Sequence, residues 1–345
     1  VFGGELFVVS ATTLYRAGAS VGTIAGTDMV RFAASATQLV IVANGSAYAY
    51  DGSTLTLIDD TDLPAVTDVV FIGGRFVFGL QNSSRFRWSD TSSATTVDGL
   101  AFSNAESSPD YIVGLAIALG QLVIFGSTSV EFWDLTGNDD EPFQHAGSGT
   151  YLRGCVSRDA IVVADNSVFW IGDDRIIYRG KSVPERVSNH GIEAALKSCT
   201  SLSSATAFEA RVEGHAFLVV NVPGVTTFAL DLAAPQASDG WAEWSSYGRT
   251  TFRGRCSVMS SGDVLVGDEV AGNVYTLASG VYSDNGDPVT FLASAFIKGA
   301  NKAERCNNIV VQGARGVGLA TGQGSDPITE LRFSDDQGRS WSDWF

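Results

Sequence analysis

The sequence predicts an all-β chain: a β-propeller-like body over residues 1–288 with one inserted short helix, then part of a second, smaller β domain over residues 289–345. Three observations predict it. Short alternating runs rich in Val, Ile, Phe, Tyr and Trp fill most of the chain, bounded by Gly, Asn, Asp and Ser, which is the pattern of half-buried strands and turns. The runs resemble one another and recur at roughly 30–50 residues, the spacing of propellers and arrays. The chain holds 38 Gly but only 8 Pro, which suits many tight turns, and its 20 Phe, 9 Tyr and 7 Trp supply core material that disordered chains lack.

The runs are Glu5 to Tyr15, Gln38 to Tyr50, Val69 to Leu80, Leu122 to Trp133, Ala160 to Ile171, His215 to Leu230 and Val264 to Leu277. Between Leu39 and Tyr50, the pair Asn44-Gly45 marks a two-residue hairpin turn, because both residues tolerate positive φ. Leu122 to Trp133, Ala160 to Ile171 (with Asp165-Asn166 at its turn) and Val264 to Tyr275 repeat the plan of apolar strand, polar turn and aromatic-bearing strand. A hairpin cannot bury both faces alone. Radial stacking gives each sheet two neighbours and leaves few open edges. Roughly six or seven such units fit between Glu5 and about Tyr282; a pair of β-sandwiches is the alternative packing of the same hairpins.

The helix is expected over Asn189 to Ser198, where Asn189 or Ser188 can cap the N-terminus. Glu193 falls in its first turn and Lys197 in its last, which suits the helix dipole. It is expected to pack across a rim or between blades. Beyond Pro288 the texture changes: Phe291 to Lys298 and Asn307 to Gln312 read as strands, residues 313–324 are glycine-rich, and Glu330 to Phe345 reads as strand, turn and strand. The chain opens on Val1-Phe2-Gly3-Gly4 and stops after an aromatic pair, so both ends are expected to be cut from a longer polypeptide.

The net charge is −16, from 38 acidic and 22 basic residues. Such a surface does not bind a phosphate backbone in general, since that requires Lys and Arg to displace counterions. It suits solubility, and equally a surface that must lie near DNA without adhering to it. The four cysteines, Cys155, Cys199, Cys256 and Cys306, form no CxxC pair, which excludes zinc-ribbon and thioredoxin readings. Cys155 and Cys256 lie in strand-like runs and are expected to be buried free thiols, made in a reducing compartment. No run reaches about 18 uninterrupted apolar residues, so no membrane-spanning segment is expected.

Catalytic and cofactor patterns are missing. His145, His190 and His215 lie far apart with no metal-ligand spacing, and neither HExxH nor GxSxG occurs. Gly316 to Gly322 superficially resembles a dinucleotide loop, but Gly324, Ser325, Asp326 and Pro327 follow where a helix is required. Asn138 to Glu141 lacks EF-hand spacing and reads as a solvated acidic turn. Asp59-Asp60 and Asp173-Asp174 sit at hairpin ends, where Asp accepts backbone N–H bonds. No catalytic residue, cofactor or metal is expected. The most specific local pattern is Ser334-Asp335-Asp336-Gln337-Gly338-Arg339-Ser340-Trp341. It matches the Asp-box S-x-D-x-G-x-[ST]-W, a turn in which Asp336 bonds turn amides, Gly338 supplies positive φ, Ser334 and Ser340 flank, and Trp341 packs beneath.

Leu122-Val-Ile-Phe-Gly-Ser-Thr-Ser-Val-Glu-Phe-Trp-Asp-Leu-Thr-Gly137 resembles the tail hub proteins of short-tailed phages, also called tail nozzles or packaged-DNA stabilisation proteins. In them a strand ending G-x-x-S-x-E-F is followed by an x-L-T-G turn. The likeness continues through Gly154-Cys-Val156, Asp165 to Gly172, Ile176 to Tyr178 and the short helix Arg186 to Leu196, and Trp241 to Trp244 matches a W-x-x-W strand. It is strongest from about 115 to 200, and in architecture it extends over the whole chain. The resemblance implies a structural virion protein without catalysis. The family forms a hexameric ring below the portal and its adaptor protein, continues the DNA channel, retains packaged DNA and carries tail spikes or fibres outside and a needle or plug at its tip. DNA then passes the lumen without specific binding, and the protein is located in the virion tail after assembly in the host cytoplasm. A sialidase-like or lectin-like carbohydrate-binding propeller is the alternative. That reading expects an arginine cluster and several Asp-boxes, whereas one full box occurs here.

Overall fold

In the computed structural model, the described residues are 1–180, 183–234, 240–278, 280, 281, 283–294, 310, 321, 325, 328–336 and 339–345. They fall into two units: Val1–Ser245 with Arg249–Ser279, and Ser246–Gly248 with Gly280–Phe345.

In the larger unit each alternating run folds back on the next, and seven antiparallel sheets result. Blade 1 holds β1 (Phe7–Ser10), β2 (Thr13–Arg16) and β3 (Ala19–Thr23). Blade 2 holds β4 (Arg31–Ala34), β5 (Leu39–Ala43), β6 (Ser46–Tyr50) and β7 (Leu55–Leu57). Blade 3 holds β8 (Val66–Ile72), β9 (Arg75–Leu80), β10 (Arg85–Trp88) and β11 (Phe102–Asn104). Blade 4 holds β12 (Ile112–Ala118), β13 (Gln121–Gly126), β14 (Val130–Leu135) and β15 (Phe143–Tyr151). Blade 5 holds β16 (Val162–Ala164), β17 (Ser167–Ile171), β18 (Ile177–Gly180) and β19 (Glu185–Arg186). The helix α1 (His190–Ser198) follows it. Blade 6 holds β20 (Thr206–Val212), β21 (His215–Val222), β22 (Thr226–Asp231) and β23 (Trp241–Trp244), and blade 7 holds β24 (Gly254–Ser260), β25 (Asp263–Asp268) and β26 (Val274–Leu277). Strand order in every sheet follows chain order. The first strands of blades 2 to 7 lie side by side in sequence, which makes them the innermost strands of a seven-bladed propeller.

The cores lie between blades rather than within them. Ala33, Val40 and Val42 of blade 2 pack on Val69, Phe76 and Phe78 of blade 3. Phe86 and Trp88 of blade 3 meet Trp133 and Phe143 of blade 4; Phe86 stands edge-on to Trp133 at 5.0 Å. Phe125 of blade 4 meets Trp170 of blade 5 at 5.5 Å, and Trp170 stacks on Tyr178. The strands are therefore apolar on both faces: β5, β9 and β17 are buried along their whole length. The turns have the chemistry the sequence demands. Asn44 and Gly45 both take positive φ (46° and 81°) in the two-residue link between β5 and β6.

Helix α1 lies between blades 5 and 6, where Ile192 and Leu196 join the core that holds Phe169, Ile177, Leu218 and Phe228. The Asn189 side chain caps it, accepting from the Ile192 amide at 3.0 Å. Its C-terminal carbonyls are met by Arg175, which donates to Leu196, Lys197 and Cys199 at 3.1, 3.0 and 2.8 Å. That satisfies the orphan groups of the last turn with a cation at the negative end of the dipole.

The smaller unit contains a two-residue hairpin, β27 (Ser283–Asp284) and β28 (Asp287–Pro288). Residues 291–294 form no strand, contrary to the expectation for Phe291 to Lys298; Phe291 is 92% exposed and finds no partner edge among the described residues. Residues 295–298, the expected strand over Asn307 to Gln312 (Val310 apart) and nearly all of the glycine-rich stretch lie outside the described residues. In the arms of the last hairpin, Leu331 and Phe345 exchange two backbone bonds at 3.1 and 2.9 Å.

Trp170 is 1% exposed and fills the space between blades 4 and 5. Trp170→Ala is expected to cost about 3–5 kcal/mol, as for other large-to-small core substitutions. The loss reads as a lower urea midpoint, with Trp170→Phe retaining most of the stability.

Candidate functional site at the propeller axis

The innermost strands and the turn before β16 bring charged residues of three blades together, against the backbone of a fourth. Asp68 on β8 is 2% exposed. Its carboxylate accepts from its neighbour's amide, Val69, and from the Leu115 amide on β12, both at 2.8 Å. Arg31 on β4 stands 3.8 Å from Asp68 and 3.6 Å from Asp159, and donates to the Arg158 carbonyl. Arg158 and Asp159 occupy a 3-10 turn (Arg158–Ala160) just before β16. The Arg158 guanidinium pairs with Asp159 at 3.1 Å, reaches across to the Thr67 carbonyl at 2.7 Å and also donates to the Met29 carbonyl. The Arg31 Nε is buried and makes no hydrogen bond, so its attraction to the two carboxylates is purely coulombic.

The crowding is possible because residue 114 has no side chain. A Cβ on Gly114 would lie 2.6 Å from Ile161, 3.1 Å from Asp68 and 3.2 Å from Arg158. Burial pushes the Asp68 carboxyl above the usual carboxylate range, against the opposing pull of Arg31, the Leu115 amide and Arg158. The cluster ties blades 2, 3, 4 and 5 and bridges the axis with guanidinium groups. A duplex whose major groove alone is about 12 Å wide cannot thread it.

An open hollow of about 630 Å³ lies on the face bearing the links between blades. Arg158, Asp173 and Arg175 line it with Ser157, Ser201 and Ser203. Its cations are already engaged: Arg175 caps α1 and Arg158 bridges the axis. Asp173 accepts from the Gly154 amide at 3.0 Å, and Ser157 donates to the Ala205 carbonyl at 2.8 Å. The polar groups named here join loops of blades 5 and 6 to each other and to the axis.

The residues singled out by sequence likeness serve the same purpose. Asp110 accepts from the amides and hydroxyls of Thr128 and Ser129 at 2.8–3.1 Å. It lies where a Cβ on Gly126 would sit, which accounts for the Gly and the Ser of the G-x-x-S turn. Glu131 is 1% exposed and accepts from the Ser107 amide at 2.8 Å and the Trp133 indole at 3.0 Å. Glu193 lies in the first turn of α1 as expected, and it is also 3% exposed and held by the Nε and Nη2 of Arg186 and by the Ser188 hydroxyl.

The other candidates separate. His145 bonds Thr150 at 3.0 Å, His190 is exposed beside Glu193, and His215 pairs with Asp231 at 2.8 Å; the three do not meet. Among the described residues no group of three metal-ligating side chains exists. Asn138 bonds the Asp140 amide at 3.0 Å in a surface turn, and Asp60 bonds the Asp62 amide at 2.9 Å. Cys155 and Cys199 are buried, and burial pushes the Cys155 thiol up to about 12. Cys256, expected to be buried, is exposed on β24. Cys306 and residues 316–320 and 322 lie outside the described residues.

In the last hairpin Asp336 accepts from the Ser340 amide at 2.8 Å, the Ser340 hydroxyl at 2.6 Å and the Ser334 hydroxyl at 2.9 Å. These bonds hold its carboxyl down to about 2. Gly338 lies outside the described residues. Trp341, 46% exposed, and Trp344 sandwich the Arg332 guanidinium at 4.7 and 4.4 Å. Sequence reasoning missed Arg31, Asp68, Arg158, Asp159 and Arg175. Asp68, a charge inside the apolar run Val66–Ile72, was the available signal.

A family model described as the bacteriophage P22 Gp10 β-propeller matches residues 2–282. The tail hub protein gp10 of Salmonella phage P22 is 23% identical over 340 residues, covering 90% of this chain and 70% of that protein. Among solved structures, the computationally designed Ika8 protein gives a TM-score of 0.48 at 16% identity, covering 80% of this chain and 81% of its own. BamB from Moraxella catarrhalis gives 0.44 at 12% identity, covering 80% and 91%.

Because the native Asp68 carboxyl holds its proton above the unfolded value of about 3.9, the native state carries the extra proton between those two values. Its contribution to stability is therefore full at low pH and falls as pH rises through that window. Asp68→Asn, neutral throughout, removes the slope. The wild-type-minus-variant difference in urea midpoint is expected to decline from acid to neutral pH; a flat or rising difference rejects this account. Arg31→Ala leaves the buried carboxylate short of a partner and is expected to cost about 3–5 kcal/mol at neutral pH.

Proposed function

The chain belongs to the bacteriophage P22 Gp10 β-propeller family, and from that premise we propose that it is a subunit of a hexameric tail hub that continues the DNA channel of a phage tail. A structural role in the phage tail hub is the coarse reading, and the family match over residues 2–282 is the observation that carries it. The finer reading adds a ring below the portal adaptor protein that retains packaged DNA and carries spikes or fibres and a needle or plug, in a virion tail assembled in the host cytoplasm.

Three physical features support the finer reading. The propeller axis is bridged by Arg158, so any DNA channel lies between subunits and not through one. The 38 acidic against 22 basic residues suit a wall past which phosphates slide without sticking. The buried polar groups found at the candidate site brace blades, which suits a part that transmits load rather than one that turns over substrate. Residues 1–288 form the body in this reading, and residues 289–345 belong to a second, smaller β-rich domain whose Asp336 turn is a fold device. No observation favours the carbohydrate-binding alternative over this one.

Light scattering of the purified chain is expected to give six times the 36.3 kDa chain mass, and negative-stain images are expected to show rings. Rings of another stoichiometry overturn the hexamer. Glycan hydrolysis by a monomer overturns the tail-hub reading.

A further inference from the structure

Among the described residues, blade 1 shows three strands and no innermost one. In blades 2 and 5 the residue after the outermost strand donates to the first turn of the third strand: Ile58 to Ala47 at 2.9 Å and Val187 to Ile177 at 3.0 Å. In blade 1 Ile24 donates to Thr12 at 2.8 Å in the same way. β3 also lies against the outermost strand of blade 2, where a Cβ on Gly22 would stand 3.0 Å from Leu55 of β7, so β3 is the outermost strand, β2 the third and β1 the second. Among the described residues β1 pairs with β2 alone.

The hairpin ahead of β1 shows where the first strand runs. Phe2 and Glu5 exchange two backbone bonds, both 3.0 Å, around Gly3 and Gly4 at φ 57° and 81°. Blade 3 repeats this geometry, with Ile72 paired to Arg75 around Gly73 and Gly74 at φ 61° and 80°, where β8 turns into β9. Val1 and Phe2 therefore match Phe71 and Ile72, the last two of the seven residues of β8. Since pairing alternates along an antiparallel strand, Phe7 and Val9 direct their N–H and C=O groups to the open edge.

The neighbours of that edge are uncovered. On β4, Arg31 and Ala33 face blade 3, so Phe32 faces blade 1, and it is 40% exposed. On β24, Ser257 donates to the Glu209 carbonyl of blade 6, so Cys256 faces the other way, and it too is exposed. Where innermost strands face a blade whose innermost strand is in place, apolar side chains are covered: Val69 is 2% and Phe208 4% exposed. Buried cores join each successive pair of blades from 1 to 7, and among the described residues none joins blade 7 to blade 1.

We propose that the inner edge of β1 is the acceptor for one further strand, antiparallel to β1 and continuous with Val1, which lies between β4 and β24 and completes blade 1. It covers Phe32 and Cys256 and pairs the free groups of Phe7 and Val9. A strand offered by a second copy is disfavoured, because Val1 and Phe2 already occupy the turn end of the site. The proposal rests on blade geometry and is independent of the tail-hub reading.

The test uses the 345-residue chain, in a Cys306→Ser background, extended ahead of Val1 either by an alternating Val/Thr strand of the missing length or by a Gly/Ser linker of equal length. Amide exchange at Phe7 and Val9 and thiol labelling of Cys256 are expected to slow roughly tenfold or more with the Val/Thr extension alone, as local opening is suppressed. Equal slowing by both extensions, or by neither, overturns the proposal. Protection of the unextended chain that rises with protein concentration means that a second copy fills the edge, and it rejects the joined strand.

Discussion

The fold depends on one constraint: innermost strands of successive blades must pack side by side around a narrow axis. Space there is so short that β12 passes with a bare glycine, Gly114, and the Asp68 carboxylate lies against its backbone. A buried carboxylate is costly unless its oxygens are satisfied. Two backbone amides bond it here, and the charges of Arg31 and Arg158 offset part of the cost of its burial. The arrangement couples blades that are distant in sequence, because the Arg158 side chain of blade 5 ends on carbonyls beside blades 2 and 3. Among the described residues the hydrophobic seams join adjacent blades, and this polar cluster supplies contacts that cross the middle.

Much of the architecture was legible in the residues. Alternation of Val, Ile and aromatic residues marked the strands, and Asn44-Gly45 marked its turn, because these signals are local and follow from backbone sterics. The helix was legible for the same reason: Asn189 caps it as its residue type requires. The polar joints were not legible. Glu193 looked like a dipole residue, and only the fold brings Arg186 and Ser188 onto it. Cys256 looked buried because it lies in an alternating strand; its exposure depends on what covers blade 7 on the side toward blade 1, which no local pattern encodes. Phe291 failed as a strand residue for a related reason, since apolar alternation makes a strand only where an edge is present to pair it.

Polar residues in and around the run that carries the family resemblance resolve into mechanics. Gly126 and Ser129 make room for, and bond, Asp110. Glu131 fastens Ser107 and Trp133. Arg175 ends the helix, and Asp173 holds the Gly154 amide. Each is a polar group whose burial must be matched by a partner in a neighbouring loop or blade. Such matched sets are harder to vary than apolar cores, where volume-conserving swaps cost little.

Blade rigidity and surface charge then carry different parts of the function. The crossed axis makes each propeller a solid block, so its internal symmetry serves packing and not passage. Contacts in a ring of the kind proposed would be heterologous, with two unlike faces on each subunit. Successive blades of one propeller present such unlike faces, because their loops differ although their strands repeat. The Asn138–Glu141 turn of blade 4, pinned by Arg75 from blade 3 through Asp139, differs from the bare two-residue link at Ala17-Gly18 in the corresponding position of blade 1. Variation of this kind costs the fold little, since the axis and the seams between blades are held by other residues. A repeat built for burial thereby leaves its loops free to differ from blade to blade.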